Sequence, residues 1–323
     1  MQDPRTQDYP MPRYPTGWFG LVRSSDLPKG AVKKLHYFGK DLIAFRDVEG
    51  RATVTGAFCP HYGAHLGVGG RVIDGTVECP FHGWRFGAEG RCVHAPFAES
   101  VPKVSLDVYP VQEHSGLIFV WHGESAPTWE VPRIPEVESS DFGPPVLRSY
   151  ESATHIQEMR ENIVDESHFH FIHKQAKPPS ITFETDGPFA YANSTIRNTW
   201  LGVRLENDFR ASMAGPGVMV VRSSGRWFNL TAIALTNPIN AQTSELRMTY
   251  LIAKLPRFEF THPLYRLVFG LMTDREVSSE IEIWNHKIFV RRPIFLRHET
   301  SIRNFRRWYT QFYPPAAMAP AER

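Results

Sequence analysis

The stretch CPHYGAHLGVGGRVIDGTVECPFHGW, residues 59–84, holds two of the chain's three cysteines, and each is followed closely by a histidine. The spacing is Cys59-x-His61, then seventeen residues, then Cys79-x-x-His82. Two thiolates and two imidazoles suit zinc or an iron–sulfur centre. A structural zinc site usually draws its pairs from Cys-x2-4-Cys and His-x3-5-His. Here each loop supplies one ligand of each kind. That arrangement suits a two-iron cluster in which one iron takes both cysteines and the other both histidines. Glycines at 63, 67, 69, 70 and 83 let the backbone come close to such a cluster, where N–H donors tune its potential.

Outward from this stretch, residues 14 to 123 read as β-structure. Short apolar runs such as DLIAFRDVEG, RATVTGAF and SGLIFVWHG alternate with Gly and Asp turn signals. Residues 124 to 148 carry five prolines and several acids, which reads as a connector. Residues 151 to 173 read as one helix, with Ile156, Met159, Ile163 and Val164 at helical spacing. Strand patterns return over 181 to 255, and helical patterns over 262 to 290 and 296 to 312. The expected fold class is α+β: an all-β domain over 1–123, a linker over 124–148, and over 149–323 an antiparallel sheet framed by helices.

A second histidine group lies in ENIVDESHFHFIHKQ, residues 161 to 175, with Asp165, His168, His170 and His173. On a regular helix Asp165 and His168 share a face. His168 and His173 stand about 140° apart, whereas His170 and His173 align better. Spacing alone therefore leaves the pair open. Acids that could complete a site lie downstream in DREVSSEIEIWNHK: Asp274, Glu276, Glu280 and Glu282.

Residues 15 to 123 closely resemble the Rieske motif, including the HGW after His82. Asp165-x-x-His168-x4-His173 matches a pattern of the Rieske non-heme iron oxygenases. The tail, residues 280 to 313, with IW-x-x-K and FRRWYxQFY, is similar to the subgroup of 3-ketosteroid 9α-hydroxylase and the cholesterol 7-desaturases. The resemblance implies one [2Fe–2S] cluster per chain on Cys59, Cys79, His61 and His82. Cys92, His65, His94 and His122 then match no ligand position. It also implies one mononuclear Fe(II) on His168, His173 and a carboxylate. The family's aspartate commonly lies four residues before a tryptophan, which selects Glu280 before Trp284. The family's spacing demands a distorted helix of the bulge type between His168 and His173, and leaves His170 as a supporting or packing residue. Asp165 matches the family's bridging aspartate, which links the mononuclear-site histidine to the cluster histidine of a neighbouring subunit. A homotrimer is implied, because one chain's own centres lie too far apart. No GxGxxG follows a strand and no flavin pattern is present, so NAD(P)H would act indirectly, through a ferredoxin and/or a separate reductase.

The implied activity is that of a terminal monooxygenase component acting on an apolar sterol- or steroid-like substrate by hydroxylation, desaturation or demethylation. Phe169, Phe171, Phe183 and Trp200 are candidate cavity residues. The alternatives are an aromatic or secondary-metabolite substrate, or an electron-transfer protein with an inactive second domain. A net charge of +2, from 36 basic and 34 acidic residues, excludes a strong global field for nucleic acid. The local run Arg303, Arg306, Arg307 is a candidate docking patch for an acidic redox partner. Without an apolar leader or an eighteen-residue apolar run, a cytoplasmic protein with no transmembrane segment is expected, its thiols reduced.

Overall fold

Runs rich in Val, Ile, Phe and Trp between Gly and Asp turns are what a sheet needs, and strands dominate the chain. The computed structural model describes residues 14–175, 177–200, 203–225, 229–254, 262–290, 293–297 and 299–314, without the side chains of 196–200, 203–205, 262 and 265. Two compact units emerge. One comprises Trp18–Val131 with Ile239–Ala241; the other comprises the described residues from Pro132 to Pro238 and from Gln242 on, with those up to Gly17.

The first unit holds eleven short strands in three sheets. β1 (Gly17–Arg23), β11 (Leu117–His122) and β10 (Val111–His114) form one sheet in that order. β2 (Val32–Tyr37), β3 (Lys40–Arg46), β4 (Ala52–Gly56) and β9 (Val108–Tyr109) form a second. β5 (Arg71–Ile73), β6 (Thr76–Glu78), β7 (Arg85–Phe86) and β8 (Cys92–His94) form the third, which lies between and beyond the two Cys-His loops in sequence. Cys59, Cys79 and Cys92 are all free and buried, in one core cluster with Ile43, Phe45, Leu66, Val77 and Phe86. Packing against the sheets thus fixes where both loops start. Arg46 braces this unit: its guanidinium donates two hydrogen bonds to Glu113, at 2.8 and 2.6 Å.

The second unit is built on a seven-stranded antiparallel sheet, ordered β12-β18-β17-β16-β15-β14-β13. The strands are β12 (Val146–Ser152), β13 (Thr182–Asp186), β14 (Phe189–Trp200), β15 (Val203–Ala214), β16 (Val218–Gly225), β17 (Asn229–Pro238) and β18 (Ser244–Ile252). β13 to β18 are consecutive neighbours, and β12 closes the far edge against β18. Small residues on the sheet make room for helices. Ala190, Ala192 and Ala211 lie under Phe305, Trp308, Tyr309 and Phe312, which come from α4 (Thr300–Tyr309) and the turn after it. Ala234 lies in a cluster with Met159 of α1 (Ile156–Glu161) and Trp284 of α3 (His262–His286).

The helix expected over 151–173 is not continuous. β12 runs through Ser152, α1 ends at Glu161, and a 3-10 turn covers Asn162–Val164. Asp165 then leaves helical geometry at φ −90°, ψ 98°, and caps α2 (Glu166–Phe171). The carboxylate that caps a new helix cannot sit inside an old one, because its backbone must be extended to reach the N–H groups ahead. Of the proline-rich stretch, Pro135–Val137 forms a 3-10 turn and Val146–Arg148 already belongs to β12.

Candidate metal centres

The two Cys-His loops share one backbone design. Gly63 N–H donates to Cys59 O at 2.8 Å, and Gly83 N–H donates to Cys79 O at 3.1 Å. Both glycines sit at φ +71°, where a side chain would be strained. Each loop is thereby a tight turn with the cysteine at its base and the histidine at its tip. Both cysteines are 2% exposed. Burial is the largest influence on the Cys59 thiol and, with the Cys79 thiol beside it, pushes it up to about 11, against backbone N–H groups of His61 and Tyr62 that favour the thiolate. A bound cation reverses that preference, since it binds thiolate. The rings of His61 and His82 lie 4.8 Å apart. His61 stacks on Trp84 at 4.3 Å with 7° between planes, and its Nδ1 is buried with no hydrogen-bond partner among the described residues. Two adjacent thiols below and two imidazoles above, one with an orphaned nitrogen, fit a two-iron cluster. His65 instead accepts from Gly67 N–H, Cys92 lies by His94 O, and His122 stacks on Phe38.

The second group is assembled from two distant segments. His168 lies on α2, and His173 lies past its end, where Ile172 closes the last turn and Lys174 takes φ +57°. The five-residue spacing therefore works because the helix stops, not because it bulges; the expected distortion is a termination. Glu280 comes from α3. His168 Nε2 lies 3.0 Å from Glu280 Oε1, and His173 Nε2 lies 2.9 Å from the same oxygen. The imidazoles are 4.5 Å apart and nearly perpendicular. Burial raises the Glu280 carboxyl, but the two histidines more than offset that and hold it below its ordinary value. Burial lowers His173, and Glu280 outweighs it in turn, so the imidazole is held above its ordinary value.

The rival acids are placed elsewhere. Asp274 accepts from Arg148 Nε at 2.6 Å and from Tyr150 at 2.5 Å. Glu276 is exposed, 3.9 Å from His173 Nδ1. His170 Nδ1 bonds Gln175 O at 2.6 Å, away from the other two histidines. Asp165 accepts the His168 backbone N–H at 3.1 Å, while His168 Nδ1 is buried and unpartnered among the described residues. Two Nε2 atoms and one carboxylate oxygen converging in a largely buried place are the donor set of a facial triad, and they fit ferrous iron.

Other sequence expectations divide. Phe169 packs beside the rings of His168 and His173, whereas Phe171 is 67% exposed and Phe183 packs on Phe305 and Trp308. The side chain of Trp200 lies outside the described residues. Of the candidate docking patch, Arg306 is paired with Glu161, while Arg303, which lies over Phe295, and Arg307 are exposed. The supports of α3 went unread in the sequence. Asn285 Oδ1 accepts from Ser152 Oγ and Ala153 N–H, each at 2.8 Å.

Residues 17–110 match the family model of the Rieske [2Fe-2S] domain, and residues 120–313 match that of the 3-ketosteroid 9alpha-hydroxylase C-terminal domain. The chain is a Rieske non-heme iron oxygenase. Among relatives of this Rieske oxygenase, cholesterol 7-desaturase nvd of Drosophila melanogaster is 31% identical over 334 residues, covering 94% of this chain and 76% of the relative. The oxygenase component of 3-ketosteroid-9-alpha-monooxygenase from Rhodococcus rhodochrous is 28% identical, covering 93% and 84%. Among solved structures, dicamba monooxygenase bound to dicamba aligns with a TM-score of 0.69 at 16% identity, covering 97% of this chain and 98% of that one. Pseudomonas putida NdmA with caffeine aligns at 0.73 and 15%, covering 90% and 89%. At such identity the two structures speak for the fold alone. The Rieske oxygenase is an oxidoreductase whose cofactors are a [2Fe–2S] cluster and Fe(II), reduced by NAD(P)H through a partner ferredoxin or reductase. No helix among the described residues is long and apolar enough to cross a membrane.

Proposed function

We propose that the chain is the terminal oxygenase of a multicomponent monooxygenase that oxidises a sterol- or steroid-like substrate. Cys59 and Cys79 hold one iron of the cluster, His61 and His82 the other, and His168, His173 and Glu280 hold the mononuclear iron. When bound, the cluster supplies single electrons and the ferrous ion supplies open coordination positions for dioxygen. The convergence of His168 Nε2, His173 Nε2 and Glu280 Oε1 carries the oxygenase reading over the electron-carrier one. The sterol reading rests on the sterol- and steroid-named relatives, which match over more than nine-tenths of the chain.

The residues divide the work. With iron bound, Glu280 would supply the one negative charge of the ligand set beside the two imidazoles, and its low exposure keeps water from competing for it. His82, at an exposed loop tip, is the place where electrons would leave the first unit. Asp165 fixes the start of α2, and its other carboxylate oxygen, without a partner among the described residues, is available to a neighbouring protomer's histidine. Exposed apolar side chains support a homotrimer: Tyr62 and Phe81 beside the cluster loops, and Leu264, Leu267, Leu271 and Met272 along α3. A mass in solution of three times 36.9 kDa is expected. In the domain division 1–123, 124–148 and 149–323, the connector is supported by the break between compact units after Val131, although Gly17 groups with the second unit. A cytoplasmic location accords with three free cysteines.

The test is turnover with a reductase and NAD(P)H on a panel of sterols, 3-ketosteroids and phenolic ethers, read by product mass. Gain of one oxygen on a steroid, or loss of two hydrogens, supports the proposal. Turnover of the aromatic ethers alone would replace it with the aromatic reading.

A further inference from the structure

Four charged side chains lie behind the iron ligands. Glu158 and Glu161 belong to α1, and both are buried, at 2% and 9% exposure. Lys287 Nζ lies 2.6 Å from Glu158 Oε2. Arg306 of α4 makes a two-pronged pair with Glu161, at 2.7 and 2.8 Å, and stands 3.8 Å from the other Glu158 oxygen. Arg306 is itself held by Val290 O and by the faces of Phe289 and Phe295. Lys287 is the lysine of IW-x-x-K and Arg306 the first of the two arginines of FRRWY, so the tail motifs meet on one short helix.

The position of that pair matters more than its charge. Lys287 follows Glu280 by seven residues, about two turns and about 10 Å along the axis, so the two lie on one face of the helix. Its N–H still donates to Ile283 O, in helical register. Trp284, between them, is buried with Met159 of α1. One face of α3 thus presents Glu280 to the histidines, Trp284 to α1, and Lys287 to Glu158. A helix held at three points can neither rotate nor slide. A 20° rotation would move a carboxylate carried about 6 Å from the axis by about 2 Å, whereas ligand distances tolerate about 0.2 Å.

We propose that Lys287 and Glu158, backed by Arg306 and Glu161, form a positioning clamp that sets the height and rotation of α3 at which the long Glu280 side chain reaches both imidazoles. The proposal rests on His168, His173 and Glu280 being the iron ligands. None of the four clamp residues touches the iron; they act through Glu280.

The experiment measures Fe(II) affinity of the purified holoprotein by competition with a chromophoric chelator, with the visible spectrum of the cluster as internal control. Lys287→Met is expected to weaken the mononuclear iron about 10- to 100-fold, the range for residues that orient metal ligands, with the cluster unchanged. Lys287→Arg keeps the charge and is expected to hold affinity closer to the wild type than Lys287→Met does. Glu158→Gln/Lys287→Met removes both charges together and avoids an uncompensated buried carboxylate, so it serves if the single variant fails to fold. The readout specific to positioning is a cycle with Glu280→Asp. In the intact protein the shorter acid is held out of reach and iron is lost. In the charge-free pair α3 can approach, so the same change costs less. Wild-type affinity in the folded charge-free pair, or equal costs of Glu280→Asp in both backgrounds, would overturn the clamp. His168→Ala separates the two ideas: if it keeps the mononuclear iron, the ligand assignment has failed and not merely the clamp.

Discussion

The two candidate metal centres are built on opposite plans. The first would take its four ligands from two loops whose Cys and His are two or three residues apart, each loop closed by a glycine at φ +71°. The second would take His168 of α2 and Glu280 of α3, 112 residues apart, whose side chains meet at 3.0 Å. A site made by turns is encoded mostly within one short stretch and depends less on how distant elements pack. A site made by helix docking inherits every error of that docking, and so needs a buried scaffold of its own.

That contrast can be broken at several points. The largest effect is expected from Cys79→Ala, which should remove the cluster and its colour altogether, because the other three ligands cannot hold it. Retention of the visible spectrum would refute the local plan. His168→Ala should lose only the mononuclear iron, abolishing substrate-dependent oxygen uptake while leaving the cluster's spectrum as it was. Phe305→Ala tests the docking side: a fully buried ring that α4 sets on the sheet is lost, costing about 3–5 kcal/mol. Calorimetry should show the second unit melting earlier, and iron loss should track that transition and not the cluster's bleaching.

Smaller effects sharpen the comparison. Asp165→Ala removes the cap of α2, at about 1 kcal/mol, and should stop electron delivery to the mononuclear site with both metals still bound. Normal repeated turnover would sink that role. In the first unit, burial raises the Glu113 carboxyl, but Arg46 more than offsets it and holds it below its ordinary 4.5. The pair's contribution is therefore full above pH 4.5 and fades as pH falls through the lower folded value. Glu113→Gln should cost about 1–3 kcal/mol near neutrality and should flatten the acid limb of the first unit's melting curve. An unchanged acid limb would show that Arg46 does not matter to it.

The same contrast explains what could be read in the sequence. Cys59, His61, Cys79 and His82 were visible because a turn puts near neighbours together whatever else the chain does. The sheet strands were visible in alternation and turn residues. His173 was not readable by helical periodicity, since the periodicity of 151–173 conceals a break at Asp165 and an end at Phe171. Glu280 could be chosen only through its distance from Trp284. The physical exclusion of Asp274 needed Arg148 and Tyr150, 126 and 124 residues away. Lys287 and Arg306 stood out as a pattern, but their partners Glu158 and Glu161 carry no local signal at all.

Metal content of the intact chain tests both plans together. Iron analysis alongside electron paramagnetic resonance of the dithionite-reduced protein should give about three irons per chain, two in a cluster with mixed sulfur and nitrogen ligation and one released by a mild chelator. About two irons, with the cluster signal intact, would contradict the second centre. A colourless zinc protein would contradict both.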